Sequence, residues 1–405
     1  MTRQVLMLTR QVLMLTRQVL RLTRQVLRLT RQVLRRRPFG TTLNRRRRVG
    51  RSGRRTARTA RKARKARKAL AAGLLAFLTA TLALSLAIEY HRPQWRDPEF
   101  GHRMTRLTRA VRENPSRPLI LAIGTSRLQN ALFPAAMGFP EAPGSPRVFN
   151  FGQSASPPLK ELLTYRRVRE AGIRPAAVLV EVLPATLAID GPAEELLGQQ
   201  TARLSAADLR HLAGYAAAPG QLRRGWLTAR LLPWQAQRLA LMSHWLPRWL
   251  PWQARLDGTW DNMDADGFQP IPMPKPELRR TATELAFRQY RHAFDAYQPG
   301  ESSFRAIGEL VHACRADGIP LAFLLPPLSP AFRGAFLPGV YENGEAHLRR
   351  FADRLGVPVF PAPDDLHEDD FMDGHHMLSH GAERYSRWLA DTHLKPWLAT
   401  CLRRP

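Results

Sequence analysis

Three residue types in this chain have the spacing needed for acyl chemistry. Ser126 stands in IGTSRLQ, directly after a short apolar run that ends in glycine. Asp373 stands three residues before His376 in DGHHMLSHGAERYSRWLA. A carboxylate at that spacing, on a loop entering a helix, can accept a hydrogen bond from the ring Nδ1–H. The other ring nitrogen is then free to take a proton from a serine hydroxyl. His375 is adjacent, but the Asp-x-x-His spacing selects His376 as the base. A third element, FNFGQSAS, brings Gly152 to the end of another apolar run. Glycine lets a backbone N–H approach a substrate closely, and Asn150 and Gln153 beside it are further candidate donors to an oxyanion.

These residues need a scaffold that brings positions about 250 apart together. Residues 118–124 (PLILAIG), 147–152 (RVFNFG), 177–183 (AVLVEVL), 321–325 (LAFLL) and 357–360 read as buried strands. Helices are expected over 157–171, 304–316 and 344–355, ended by Gly172, Gly318 and Gly356, with Ser156 as the cap of the first. A last helix begins near Ser379 and packs Ala382, Tyr385, Trp388 and Leu389. The alternation predicts an α/β fold, a doubly wound parallel sheet with helices on both faces. Ligands bind beyond the carboxyl ends of the strands in such sheets, which is where Ser126 and Gly152 fall.

Between about 190 and 300 the alternation breaks. Six of the nine tryptophans lie here (Trp226, Trp234, Trp245, Trp249, Trp252 and Trp260), interleaved with arginine and proline. A helical insertion packed by tryptophan, a lid, a saccharide-stacking surface and an interfacial membrane contact all fit this composition.

The net charge of +29 suggests a nucleic-acid binder until its position is considered. Residues 1–68 hold 24 of the 62 basic residues and no acid, leaving 38 basic against 33 acidic groups in the rest. The first 36 residues contain five copies of a unit beginning TRQVL. Without acidic partners for its arginines, this reads as a recent duplication or a start set too far upstream rather than as a coiled coil. Arg45 to Lys68 is expected to stay solvated or lie on anionic lipid. Nucleic acid is not an expected partner.

Ala69 to Ile88 is a run of twenty uncharged residues, enough at ~1.5 Å per residue to cross a core of about 30 Å. With its basic flank it reads as an uncleaved signal anchor. The tail (1–68) would then be cytoplasmic, and a linker (89–116) and a catalytic domain (117–405) would lie on the far side of the inner membrane. Cys314 and Cys401 are too few for a disulfide scaffold, and their pairing is left open. His367, Glu368, Asp369, Asp370, Asp373, His375, His376 and His380 form an acidic, histidine-bearing run without a metal-ligand signature.

Together, the blocks at Ser126, Gly152 and Asp373–His376 resemble the SGNH/GDSL hydrolase superfamily over Pro118 to about Ala390, interrupted by the tryptophan-rich insertion. The resemblance implies a flavodoxin-like fold, Ser126 as nucleophile, Asp373 and His376 as its partners, Gly152 as an oxyanion donor, and no metal or organic cofactor. It implies esterase or O-acyltransferase chemistry on an ester-bearing substrate such as an envelope polysaccharide, with lipid the partner of the anchor and tail. A non-catalytic carbohydrate-binding or assembly protein is the alternative. Two departures stand out. GTS replaces GDS, and no asparagine follows the third strand, where VEVLPAT places Glu181. An ionised carboxylate cannot donate to an oxyanion. That role passes to Asn150, Gln153 or another donor, or catalysis is weak or absent.

Overall fold

The structure, a computed structural model, describes residues 52–91, 93–187, 201–251, 255–256 and 260–402. The TRQVL repeats, the first residues of the basic stretch, the start of the insertion and Trp252 lie outside the described residues. The chain divides into two units, Met1–Gly73 and Leu74–Pro405. Helix α1 (Ser52–Leu86) begins in the first unit and ends in the second. Its basic part is helical rather than irregular, because arginine, lysine and alanine are good helix formers. Arg61–Tyr90 is long and apolar enough to cross a membrane, and Leu70, Leu75 and Phe77 along it are exposed.

The second unit is α/β, with five strands all parallel: β1 (Leu119–Gly124), β2 (Arg147–Gly152), β3 (Ala177–Glu181), β4 (Leu321–Leu324) and β5 (Val359–Phe360), in the order β2-β1-β3-β4-β5. Successive strand residues serve opposite faces. Leu121, Ile123, Phe149, Phe151, Val178, Val180 and Phe323 join one core, while Ile120, Ala122, Val148, Leu179 and Leu324 join the other. Near-continuous apolar runs are therefore needed in every strand. The first core is closed by α2 (Pro98–Glu113), α4 (Pro158–Glu170), α8 (Glu301–Ala316) and α9 (Val340–Leu355). The second is closed by α3 (Ser126–Ala131) and α10 (Ser379–Leu389).

Two sequence expectations need correction. The segment taken for a linker contains α2, with Leu107 and Ala110 buried against the sheet. Its apolar period was masked by arginines recurring every third residue, one of which, Arg103, is itself fully buried. Ser156 does not cap α4; Pro157 occupies that position, and the Ser156 hydroxyl is buried without a partner. Both cysteines are free thiols.

The insertion includes helices α5 (Pro219–Leu231), α6 (Arg238–Trp245) and α7 (Pro276–Asp295). Trp226 and Trp260 pack: the Trp226 indole N–H donates to the Leu204 carbonyl, and Trp260 stacks on His102. Trp234, Trp245 and Trp249 are exposed. The insertion also covers the open edge of β2, a position that invites pairing with other chains. Asn150 N donates to Asp266 O at 2.7 Å, and Arg103 bridges the Asn150 and Gly267 carbonyls at 2.9 and 2.8 Å.

Gly267 has φ +89°, and a Cβ there would fall 2.1 Å from Asn150 O. Gly144 also has positive φ (+77°) but open space around it. Gly144→Ala is expected to cost only the backbone term, about 1–2 kcal/mol. Gly267→Ala should cost clearly more by displacing the edge cover. Thermal unfolding of the two purified variants checks this, and equal losses would show that the close approach carries no weight.

Candidate functional site

The site begins at the turn from β1 into α3. Thr125 caps α3, its side chain accepting from Arg127 N at 3.2 Å. Glu181, the last residue of β3, receives four donors on its carboxylate. Thr125 N and Leu128 N reach Oε2 at 2.8 and 3.0 Å, and Thr125 Oγ1 and Arg127 Nε reach Oε1 at 2.9 and 2.7 Å. The side chains of Glu181 and Arg127 are both almost fully buried. Glu181 thus occupies donors that the start of a helix leaves without intrahelical acceptors. In that first turn only the Ser126 N–H lacks a partner among the described residues.

Burial opposes the charge on Arg127, but the Tyr290 hydroxyl, which accepts from Arg127 Nη1 at 2.7 Å, and Glu181 outweigh it and raise its pKa. On α4, burial and then the negative charge of Glu181 push the Glu161 carboxyl well above the usual carboxylate range. Glu181 itself is the ion-pair partner of Arg127, at 2.7 Å. The side chain of Glu181 also lies across Gly124: a Cβ there would meet Glu181 Cβ and Oε2 at 2.6 Å.

The second part is the loop before α10. It folds back on itself through a bridge between Phe371 and Met377 and a bond from Met372 N to His376 O. It is tied to the chain after β4 by Ser329 N donating to Gly374 O. Asp373 Oδ1 accepts from His376 N at 2.9 Å, while Oδ2 lies 2.7 Å from His376 Nδ1. His376 Nε2 lies 2.8 Å from Ser126 Oγ. The tautomer that satisfies both contacts carries its proton on Nδ1, which donates to Asp373, and accepts the serine proton at Nε2. Burial alone would raise the Asp373 carboxyl; its hydrogen bond to His376 and the charges of His376 and His375 outweigh that and hold it at about 2.

His375 occupies a different environment. Its ring packs against Tyr290 and Phe332 and beside His376. Burial, and then the charge of His376, drive its pKa well below the ordinary value, so it is neutral. Its Nδ1 is 3.4 Å from Asp373 Oδ1 but makes no hydrogen bond. The wider acidic run serves the fold: Asp370 pairs with Arg384, and Asp369 with Arg279. Among the described residues, Asp373, His375 and His376 are the one group whose metal-ligating atoms lie within 4.8 Å of one another. A cation taking His376 Nδ1 would displace its bond to Asp373.

The expected oxyanion donors fare differently. The Asn150 amide donates to the Leu128, Gln129 and Leu132 carbonyls, and its oxygen accepts from Gly152 N at 2.9 Å. The donors of Asn150 and Gly152 are therefore spent, and neither can serve an oxyanion. Gly152 has another role: a Cβ would meet Gln129 N at 2.5 Å, so it lets α3 pack on β2. Gln153 N is bonded to Gly124 O and its side-chain oxygen to Thr164, but its Nε2 is buried and unpartnered. Two residues on, Ala155 has φ +45°, the one non-glycine in that region among the described residues. Such backbone strain is held in place by surrounding structure.

Sequence reasoning passed over Arg127, Tyr290 and the anchoring role of Glu181. A glutamate ending an otherwise apolar strand was the available signal; Tyr290 gave none, since it arrives from the insertion. No protein-family model matches this chain, and a search of curated proteins found no matching sequence.

Glu181→Gln removes one charge of a buried pair and turns two acceptor positions toward donors. The expected loss is about 3–5 kcal/mol of stability. Glu161→Gln, at a carboxyl whose burial disfavours its charge and which has no ion-pair partner among the described residues, should lose far less. Comparing their unfolding midpoints tests the assignment; similar losses would contradict it.

Proposed function

We propose that this chain is a membrane-anchored serine esterase or O-acyltransferase of the SGNH/GDSL type. The observation that carries the reading is the relay from Ser126 Oγ through His376 to Asp373, at 2.8 and 2.7 Å, assembled from residues 250 apart in sequence. Ser126 Oγ attacks the ester carbonyl carbon as its proton passes to His376 Nε2. Asp373 stabilises the imidazolium and keeps Nδ1 protonated. Collapse breaks the bond to the alcohol, which leaves with the proton from His376, and the acyl group stays on Ser126. Water, or the hydroxyl of an acceptor, then attacks this acyl-enzyme, giving hydrolysis or transfer. The Ser126 N–H is the first oxyanion donor, and the loop holding Gln153 Nε2 and Ala155 supplies the second.

The membrane-length helix and its basic flank support a cytoplasmic N-terminus and a catalytic domain beyond the inner membrane, with lipid as the partner of the tail. That location suits ester groups on an envelope polysaccharide. The second reading, a non-catalytic carbohydrate-binding or assembly protein, is favoured by the missing asparagine donor after β3 and by the exposed tryptophans.

Ser126→Ala and His376→Ala are each expected to lose about 10⁴–10⁶ in kcat on an aryl acetate, without adding when combined. His375→Ala, which removes a packed neutral ring, should retain measurable turnover. A fluorophosphonate probe should label wild type and not Ser126→Ala. Full activity in Ser126→Ala would end the enzyme reading at this site.

The pH profile has a defined sign. His376 must offer a free Nε2 to accept the serine proton, so kcat/KM falls where acid occupies that nitrogen. Asp373, held at about 2, stays ionised throughout that fall. Protonation of Asp373 should therefore add no limb of its own above about pH 4, and a limb there that disappears in Asp373→Asn would mean that Asp373 is not held by His376.

An alkaline phosphatase fused after Pro405 should be active. An inactive phosphatase with a fluorescent cytoplasmic fusion at the same site would reverse the orientation.

A further inference from the structure

We propose that the exposed tryptophans of the insertion form a collar that docks on the anionic outer face of the same bilayer that α1 crosses; the inference rests on the anchored reading above. Outside the membrane-length helix, nine large hydrophobic side chains are exposed among the described residues, and five of them lie within residues 234–249. They are Trp234, Leu239, Trp245, Leu246 and Trp249, the last 74% exposed. A soluble surface scatters such residues singly. Here they are gathered on α6 and the short helices on either side of it, Pro233–Ala236 and Pro247–Trp249.

The patch is continuous with the end of the membrane helix. After Leu86 the helix closes in a π-turn, Ala87–His91, followed by the short helix Pro93–Arg96. Trp95 on that helix meets Trp245 edge-on and His244 at a tilt, both with ring centroids 5.4 Å apart. Glu89, at the end of the span, pairs with Arg96 at 2.9 Å and with Arg230 of the insertion at 2.8 Å. The Arg230 guanidinium also lies over the Trp226 ring. The insertion is thus pinned where the helix leaves the membrane.

Charge identifies the occupant. Residues 209–256 contain seven arginines and no aspartate or glutamate. Arg223, Arg224, Arg238 and Arg248 are exposed. Tryptophan rings favour the headgroup level, and basic side chains beside them are drawn to anionic lipid. A sugar-stacking platform would pair its rings with carboxylates for the sugar hydroxyls, and this stretch carries none. A second attachment beside the helix would stop the catalytic domain from swivelling about a single tether.

The test uses the full chain reconstituted into phosphatidylcholine vesicles with and without phosphatidylglycerol, some prepared with acyl-brominated lipid. Brominated lipid should quench the tryptophan fluorescence, more strongly when phosphatidylglycerol is present. The Trp234→Phe/Trp245→Phe/Trp249→Phe variant should lose most of that quenching while still floating with the vesicles. Quenching unchanged in this variant would overturn the collar and leave the anchor standing. So would an unquenched wild type whose fluorescence responds instead to added soluble polysaccharide, an outcome that points to sugar. A wild-type chain that does not float with vesicles would overturn the anchored reading as well.

Discussion

Glu181 is buried at the carboxyl end of β3 as the ion-pair partner of Arg127, and a carboxylate so placed must have its lone pairs met. Two main-chain N–H groups, one hydroxyl and one guanidinium meet them. All four belong to Thr125, Arg127 and Leu128, so satisfying this one group sets the turn that presents Ser126. The constraint spreads outward. Gly124 must lack a side chain because Glu181 lies across it, and Gly152 because α3 is drawn down on β2. Burial and then the neighbouring Glu181 carboxylate push the Glu161 carboxyl well above the usual range.

The two histidines illustrate how environment separates identical side chains. His376 stands between a hydroxyl and a carboxylate, each within hydrogen-bond distance of one ring nitrogen. His375, one residue earlier, is enclosed by Tyr290 and Phe332, where charge is penalised. The loop turn delivers them to opposite surroundings, so only one is placed for proton transfer with Ser126.

The insertion is more than an appendage to the sheet. Its segment around Asp266 covers the edge of β2, and α7 supplies the Tyr290 that holds Arg127. Its other end is joined to Glu89 at the close of the membrane-length helix. Edge protection, support of the turn that presents Ser126 and the link to the membrane-length helix therefore depend on one stretch of sequence. Loss of its packing would be felt at all three.

Much of the framework was legible in the residues themselves. Strands buried on both faces must be apolar throughout, so β1 to β4 stood out as short runs, and glycines at helix ends marked α4, α8 and α9. The uncharged twenty-residue run and the Asp-x-x-His spacing were equally local patterns. Helix α2 was hidden because a buried arginine interrupts its apolar stripe, and its partners, the Asn150 and Gly267 carbonyls, are remote in sequence. Glu181 was read as a defect in a motif because its donors come from another strand's turn. The commitment of Asn150 and Gly152 to the packing of α3, the arrival of Tyr290, and the different surroundings of His375 and His376 were settled only by the fold. Each depends on which groups share a buried space, and burial and hydrogen-bond partnership are properties of the assembled structure rather than of neighbours along the chain.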